Sequence, residues 1–465
     1  MCIRDRITRP EQILTSLPQA INVMLDPADC GPAVISMSQD VQGEAYDYPE
    51  IFFEEKIHEI RRIHPDPNQI QKAADKLKQS KQPIIISGGG VLYSEAEEEI
   101  SAFAKKHNIP VTATVMGIGC MNKDDPYYIS AIGCLGEGSS NNLATDTDLA
   151  LAVGTKLGDF TTGSWTNFEN ENFQLVSINT SRFDTTKHRA TPVVSDAKIG
   201  LQELSKALGD WKAPDNWYQR SIEERNKWDE YVAKESGPTN QELPSYAHAV
   251  GAVYRNSDPS DIVVTAAGGL VGEVVQIWKP KELNTFETEW GFSCMSYEIS
   301  GALGIKMAKP EQDVIVFVGD GSYLLQNSDI YSSVLYDKKL IIVVCDNGGH
   351  MVINRLQLAK GGNEYLCNLN AARATNVQFV DFEAHAKSMG ANGETVKSIS
   401  ELEAAFKRAK ESDKTYVISM KTDGYEWLEG TAFWESPTLE VDNTEGKKSA
   451  LNEFLEGKNK QRKGV

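Results

Sequence analysis

Short apolar runs alternate with longer amphipathic stretches along most of this 465-residue chain. From about 66 to 207 the runs at Pro83–Ser87, 110–115, Leu149–Val153 and 175–179 predict strands. A Glu- and Ala-rich stretch at 95–106 predicts a helix after the first of them. From 244 to about 430 the same alternation resumes, with strands expected at 262–266, 314–318, 340–345 and 416–420. Continuous apolar runs joined by helix-length segments imply strands buried on both faces, and therefore parallel, doubly wound α/β sheets.

The flanking segments read differently. Ile13, Leu14, Leu17, Ile21 and Leu25 recur at helical spacing, and Ala33–Met37 is an apolar run that suits a buried strand. One helix and one strand cannot close a core, so residues 1–50 read as a remnant or docking piece. The opening MCIRDR has no apolar core after it and is not a secretory signal. We expect a chain that begins inside a domain, with MCIRDR not native to it. Residues 208–243, with Trp211, Trp217 and Trp228 among charges and prolines, predict a linker carrying one surface helix. The tail at 431–465 is polar and ends in KNKQRKGV; it is expected to fray, with its basic run solvated.

Composition narrows the function. A net charge of −19 disfavours nucleic acid and anionic membranes as partners, so an anionic ligand must be held locally. No apolar run is long enough for a spanning helix. Seven scattered cysteines never spaced CxxC suit thiols in a reducing, cytoplasmic setting, and the histidines show no HxH or HExxH spacing. The triple glycine Gly88-Gly89-Gly90 lacks the rest of a dinucleotide fingerprint and reads as a tight βα turn rather than a phosphate loop.

The informative stretch runs from Val314 to Gly349. A β-rich run leads into Gly319-Asp320-Gly321, a helix-length segment follows, and a second run ends at Asp346-Asn347-Gly348-Gly349. One crossover between two parallel strands sets Asp320 and Asn347 at the same carboxyl edge, where ligands of open α/β sheets sit. A carboxylate, an amide oxygen and a backbone carbonyl form a hard oxygen site suited to Mg²⁺ or Ca²⁺. Gly319 and Gly321 let the backbone approach a diphosphate, and Gly321-Ser322 opens a helix whose N–H groups favour anions.

Gly-Asp-Gly followed by an asparagine at this spacing resembles the thiamine-diphosphate (ThDP) signature of the pyruvate decarboxylase and acetolactate synthase superfamily. The resemblance implies that Asp320, Asn347 and the carbonyl of Gly349 hold Mg²⁺. It further implies that Gly268, Gly269 and Leu270, in Ala266-Ala267-Gly268-Gly269-Leu270, receive the diphosphate. Met295, in GFSCMSYEISGALG, is similar to the apolar residue that props the cofactor into its V shape; without the family it reads as core packing. AYDYPEIFF, GTKLGDFTTGSWTNF, ETEWGFSCMSYEISGALG, GDGSYLLQNSDI, DNGGHMVINRLQ and TYVISMKTD together resemble one branch, the trihydroxycyclohexanedione hydrolases of inositol catabolism, over about residues 7 to 440. That branch opens a cyclic 1,2-diketone hydrolytically to 5-deoxyglucuronate, with the cofactor as electron sink.

The resemblance implies a central Rossmann-like domain at 66–207, a diphosphate- and Mg²⁺-binding domain at 244–430, and a homodimer or homotetramer. It also implies an N-terminal pyrimidine-binding domain whose glutamate activates the cofactor. Only that domain's last helix and strand match this chain, so the catalytic residue stays unassigned and this chain by itself is expected to lack turnover. His350, beside the metal loop, is a weaker catalytic candidate, and Asp346 is expected to shape the turn. An acetolactate-synthase or 2-oxoacid-decarboxylase activity, or a non-catalytic protein keeping the cofactor fold, remain alternatives. A nucleotide-binding protein using Gly88–Gly90 is a more distant one.

Overall fold

The computed structural model describes residues 3–372, 376–441 and 444–462, so parts of MCIRDR and KNKQRKGV lie outside the described residues. Two six-stranded parallel sheets carry the molecule. The first contains β3 (Pro83–Ser87), β4 (Val111–Ala113), β5 (Tyr128–Ala131), β6 (Leu149–Val153), β7 (Gln174–Asn179) and β8 (Thr191–Val194), ordered β5-β4-β3-β6-β7-β8. The second contains β9 (Ile262–Thr265), β10 (Phe286–Thr288), β11 (Val314–Gly319), β12 (Ile341–Asp346), β13 (Asn392–Val396) and β14 (Tyr416–Lys421), ordered β10-β9-β11-β12-β14-β13. The expected doubly wound α/β architecture is what the chain adopts.

Burial on both faces explains the unbroken apolar runs. In β11, Ile315 and Phe317 join one core while Val314, Val316 and Val318 join another on the opposite face. The first of these cores is continuous with Ile85, Val111 and Leu151 of the other sheet, so one apolar body welds the two sheets together. The helix Tyr246–Asn256 contributes Ala249, Val250 and Val253 to it.

The triple glycine packs backbone on backbone. A Cβ on Gly88 would lie 2.4 Å from the Gly154 carbonyl oxygen, and one on Gly90 would lie 2.6 Å from Gly154 Cα. Here glycine serves the close contact of two turns.

Three flanking segments depart from expectation. The N-terminal piece is strand–helix–strand: β1 (Ile3–Ile7) pairs in parallel with β2 (Ala33–Met37). β2 is not the buried strand predicted, because Val34 and Met37 are about half exposed. Two strands and one helix supply no second layer to cover them. The helix expected within the 208–243 linker is there, at Asp215–Glu235, but it is not a surface helix: it buries Trp217, Ser221 and Val232, with Trp217 Nε1 donating to the Pro83 carbonyl at 2.8 Å. Among the described residues the tail is not frayed. It forms the helix Glu445–Lys460, whose basic end docks: Lys458 pairs with Glu435, Gln461 Nε2 donates to Ser164 O at 2.9 Å, and Arg462 donates to Asn170 O at 2.9 Å. Cations at a helix C-terminus suit its dipole, and here they also find carbonyls on the first sheet's loops.

The sheets meet at a buried polar junction. Glu137 is fully buried, accepts from Ser130 Oγ, and lies 3.6 Å from Lys279 Nζ, which is in closer contact with Asp229. Burial pushes the Glu137 carboxyl up to about 7, against the pull of the more distant Lys279 charge. The folded chain therefore holds this proton more tightly than the unfolded chain. Its contribution to stability is complete below about pH 4.5 and is lost as pH rises through about 7. We predict that the melting temperature of the wild-type chain falls relative to Glu137→Gln between pH 5 and 8, by the equivalent of about 1–3 kcal/mol. Parallel melting curves for the two proteins across that range would refute the assignment.

Candidate functional site

β11 and β12 are adjacent and parallel, with Gly319 opposite Cys345, so Asp320 and Asn347 emerge side by side from one sheet edge. Asp320 is 5% exposed, and its Oδ1 is buried with no hydrogen-bond partner. Asn347 Oδ1 is likewise buried and unpartnered, because Asn347 Nδ2 donates to the Tyr246 hydroxyl at 2.7 Å and fixes the amide's orientation. Burial, with the nearby Asp346 charge adding to it, pushes the Asp320 carboxyl up to about 7 although the Gly321 and Gly349 amides pull it down. Two desolvated, unpartnered oxygens at neighbouring strand ends are an unsatisfied pair of the kind a hard cation completes.

Unpaired oxygens concentrate along this edge. Thr265 Oγ1 and Thr288 Oγ1, at the last residues of β9 and β10, are also buried without partners, as is Thr422 Oγ1 just past β14. Among the described residues no group of three or more His, Cys, Asp or Glu side chains is placed to hold a metal. The oxygen set at Asp320 and Asn347 thus brings a single carboxylate.

The Asn347 loop is held from behind. Asp346 shapes the turn, accepting from Gly348 N at 3.0 Å and pairing with Lys421. Gly349 has φ of +141° and its position for a Cβ lies 2.3 Å from the Cys367 carbonyl oxygen, so only glycine fits there. His350 N donates to the same carbonyl at 2.8 Å, and Leu369 N donates to Gly348 O at 2.9 Å. The exposed His350 ring lies against Gly321, above the turn at Asp320.

Gly268 and Gly269 follow β9 on the same edge and lead into the helix Leu270–Ile277. Gly268 faces open space, whereas a Cβ on Gly269 would lie 2.1 Å from the Trp427 ring. Trp427 is in turn covered by the Arg355 guanidinium, 4.9 Å from the ring centroid. The Leu270 side chain is buried at 2% exposure, so only its backbone borders the site. Met295 is 38% exposed, which places it outside the packed core. The Ser322 hydroxyl is already engaged, accepting from Ser296 N at 2.7 Å and donating to Glu298 at 3.0 Å. The sequence reading missed Tyr246, 101 positions before Asn347, Trp427, 78 positions after Gly349, and Glu298, three positions after Met295.

Comparison with known proteins identifies both sheet regions. Residues 70–204 match the thiamine pyrophosphate enzyme central domain, and residues 266–420 match the C-terminal TPP binding domain of the same enzymes. The fold is that of a thiamine-diphosphate enzyme. The chain is 36% identical to a 3D-(3,5/4)-trihydroxycyclohexane-1,2-dione hydrolase of Halalkalibacterium halodurans, with 95% of this chain and 73% of that protein covered. It is 37% identical to the enzyme of that name from Shouchella clausii over 92% of this chain and 72% of that protein. For the Bacillus subtilis enzyme the identity is 34%, covering 96% and 74%. The chain belongs to the 3D-(3,5/4)-trihydroxycyclohexane-1,2-dione hydrolase family of these enzymes.

Tyr246→Phe tests the orientation of Asn347. Loss of the phenol oxygen strands a half-buried amide donor, which costs about 1–3 kcal/mol. Chemical denaturation should show that loss in the ligand-free chain, and unchanged stability would mean that Tyr246 does not fix the amide.

Proposed function

We propose that this protein carries out the ThDP- and Mg²⁺-dependent hydrolytic ring opening of trihydroxycyclohexane-1,2-dione, yielding 5-deoxyglucuronate in myo-inositol breakdown. The observation that carries the reading is the pair of buried, unpartnered oxygens of Asp320 and Asn347 at adjacent strand ends, in a chain of this family. These two oxygens and the Gly349 carbonyl would hold Mg²⁺, which prefers few protein ligands and completes its shell with water and phosphate oxygens. Gly268, Gly269 and the backbone of Leu270 would border the diphosphate, with Gly319, Gly321 and the Ser322 backbone on its other side. Met295, free of the core, would support the cofactor's bend.

When bound, the cofactor supplies a thiazolium that serves as the electron sink for C–C cleavage. The chain's own groups bind, orient and exclude water. Asp320 must be ionised to serve the metal, and a divalent cation offsets the desolvation that otherwise favours its proton. Asn347 contributes a neutral oxygen whose direction Tyr246 sets. His350, exposed above Gly321, is positioned to meet a substrate entering from solvent. No helix among the described residues is long and apolar enough to cross a membrane. We place the enzyme in the cytoplasm as a homodimer or homotetramer acting on a small cyclic diketone.

Thermal shift with Mg²⁺ and ThDP, beside Asp320→Ala, tests the cofactor assignment. At about a hundred times the dissociation constant the ligand should add roughly 2.7 kcal/mol of stability. The shift should vanish in Asp320→Ala and on chelation with EDTA. A shift that survives both would rule out the metal assignment. Competition between the cyclic dione and pyruvate for the loaded protein separates the proposed activity from 2-oxoacid decarboxylation; preference for pyruvate would favour the latter.

A further inference from the structure

Glu298 is a carboxylate at 1% exposure in the first turn of the helix Tyr297–Ala308; it lies within GFSCMSYEISGALG, which gives it no role. Its Oε1 accepts from Ala267 N at 3.3 Å, in the turn after β9. Both its oxygens accept from the Ser322 hydroxyl, at 3.1 and 3.0 Å, in the turn after β11. The Ser322 hydroxyl accepts in turn from Ser296 N at 2.7 Å, and Ser296 Oγ donates to Ser322 O at 2.7 Å. One buried carboxylate thus reaches three turns that border the sheet edge.

Ser296 adds a second observation. It has φ of +76°, a left-handed conformation that a residue with a side chain adopts only when its surroundings enforce it. The enforcing contacts are its two hydrogen bonds to Ser322, and Ser322 is held by Glu298. The residue just before it is Met295. Burial pushes the Glu298 carboxyl above the usual range, while the Ser322 hydroxyl and the amides of Glu298, Ala267 and Ser296 pull it back. A side chain left in so costly a place, with donors arriving from three turns, has a positional task.

We propose that Glu298 is a positioning residue that clamps the turn at Ala267–Gly269, the strained turn at Met295–Ser296 and the turn at Asp320–Ser322 into one preformed rim. The proposal rests on the reading of that rim as the cofactor site, because only a ligand spanning all three turns would need them fixed together. A carboxylate serving only as a helix-start hydrogen bond would stabilise its own helix and leave the other two turns independent.

The test uses the whole chain with Glu298→Ala, Glu298→Gln and Ser322→Ala. Hydrogen exchange without ligand should accelerate in Glu298→Ala in peptides covering 262–272, 292–300 and 319–325 together, and remain near wild type in Glu298→Gln, whose amide keeps an acceptor and a donor in place. Binding of ThDP at saturating Mg²⁺, read by tryptophan fluorescence, should weaken on the order of 10- to 100-fold in Glu298→Ala and stay within about threefold in Glu298→Gln. If Glu298→Ala does not fold, Ser322→Ala decides, with faster exchange in the same peptides and binding about tenfold weaker. Exchange that changes only in 292–300, or Glu298→Ala binding as wild type does, overturns the clamp. A wild-type chain that does not bind ThDP while all three turns loosen in Glu298→Ala removes the cofactor reading and leaves the clamp standing.

Discussion

The structure turns on two parallel strands ending together. β11 and β12 lie side by side in the middle of their sheet, so the residues just past their ends come to one edge whatever those residues are. In this chain they are a carboxylate and an amide, and neither Asp320 Oδ1 nor Asn347 Oδ1 meets a donor. Burying such groups unpaired is unfavourable, and the rise of the Asp320 carboxyl to about 7 expresses that cost. Much of the surrounding architecture keeps the pair from relaxing. Tyr246 turns the amide, Lys421 and Gly348 hold Asp346, and the Cys367 carbonyl pins the loop at Gly349 and His350.

Rigidity at that edge depends on the rest of the molecule. The same apolar body that buries Ile315 and Phe317 of β11 also buries Ile85 and Leu151 of the first sheet, so the site's supporting strands are anchored across a domain boundary. The helix Tyr246–Asn256 belongs to that core and presents Tyr246 to Asn347, which couples packing directly to the site. Glu137, Lys279 and Asp229 form the polar counterpart where the sheets meet. The relatives share this chain's family over about three quarters of their own length; one matched region contains the first sheet and the other most of the second, from just after β9.

Much of the fold was legible because strands buried on both faces leave an unmistakable record. Pro83–Ser87 and Leu149–Val153 were read to the residue, since each is built on a compact apolar run, Ile84–Ile86 in the first and all five residues in the second. The short or partly polar strands β5, β8, β10 and β13 were not read: Tyr128–Ala131 and Asn392–Val396 have too few apolar residues to stand out, and their neighbours in the sheet define them as strands. β1 was missed for a related reason, because IRDRI sets three charged residues between its two isoleucines and becomes a strand by pairing with β2. The tail misled through its charge. Lys458, Gln461 and Arg462 look solvated in sequence, but Glu435, Ser164 and Asn170, distant in the chain, supply their partners.

The sequence by itself determined which residues would stand at the two strand ends, because Gly-Asp-Gly and Asp-Asn-Gly-Gly each close an apolar run and a single crossover must bring them to one edge. It also determined the chemistry open to them, since oxygen donors and glycines exclude soft-metal ligation and admit close backbone approach. Only the tertiary structure decided what holds them: that Tyr246 orients Asn347, that Trp427 covers Gly269, and that Glu298 ties three separate turns together. The physical reason is that local sequence specifies periodicity and turn chemistry over a few residues, whereas a buried polar group is specified by the partners that reach it. Those partners come from wherever packing brings the chain back.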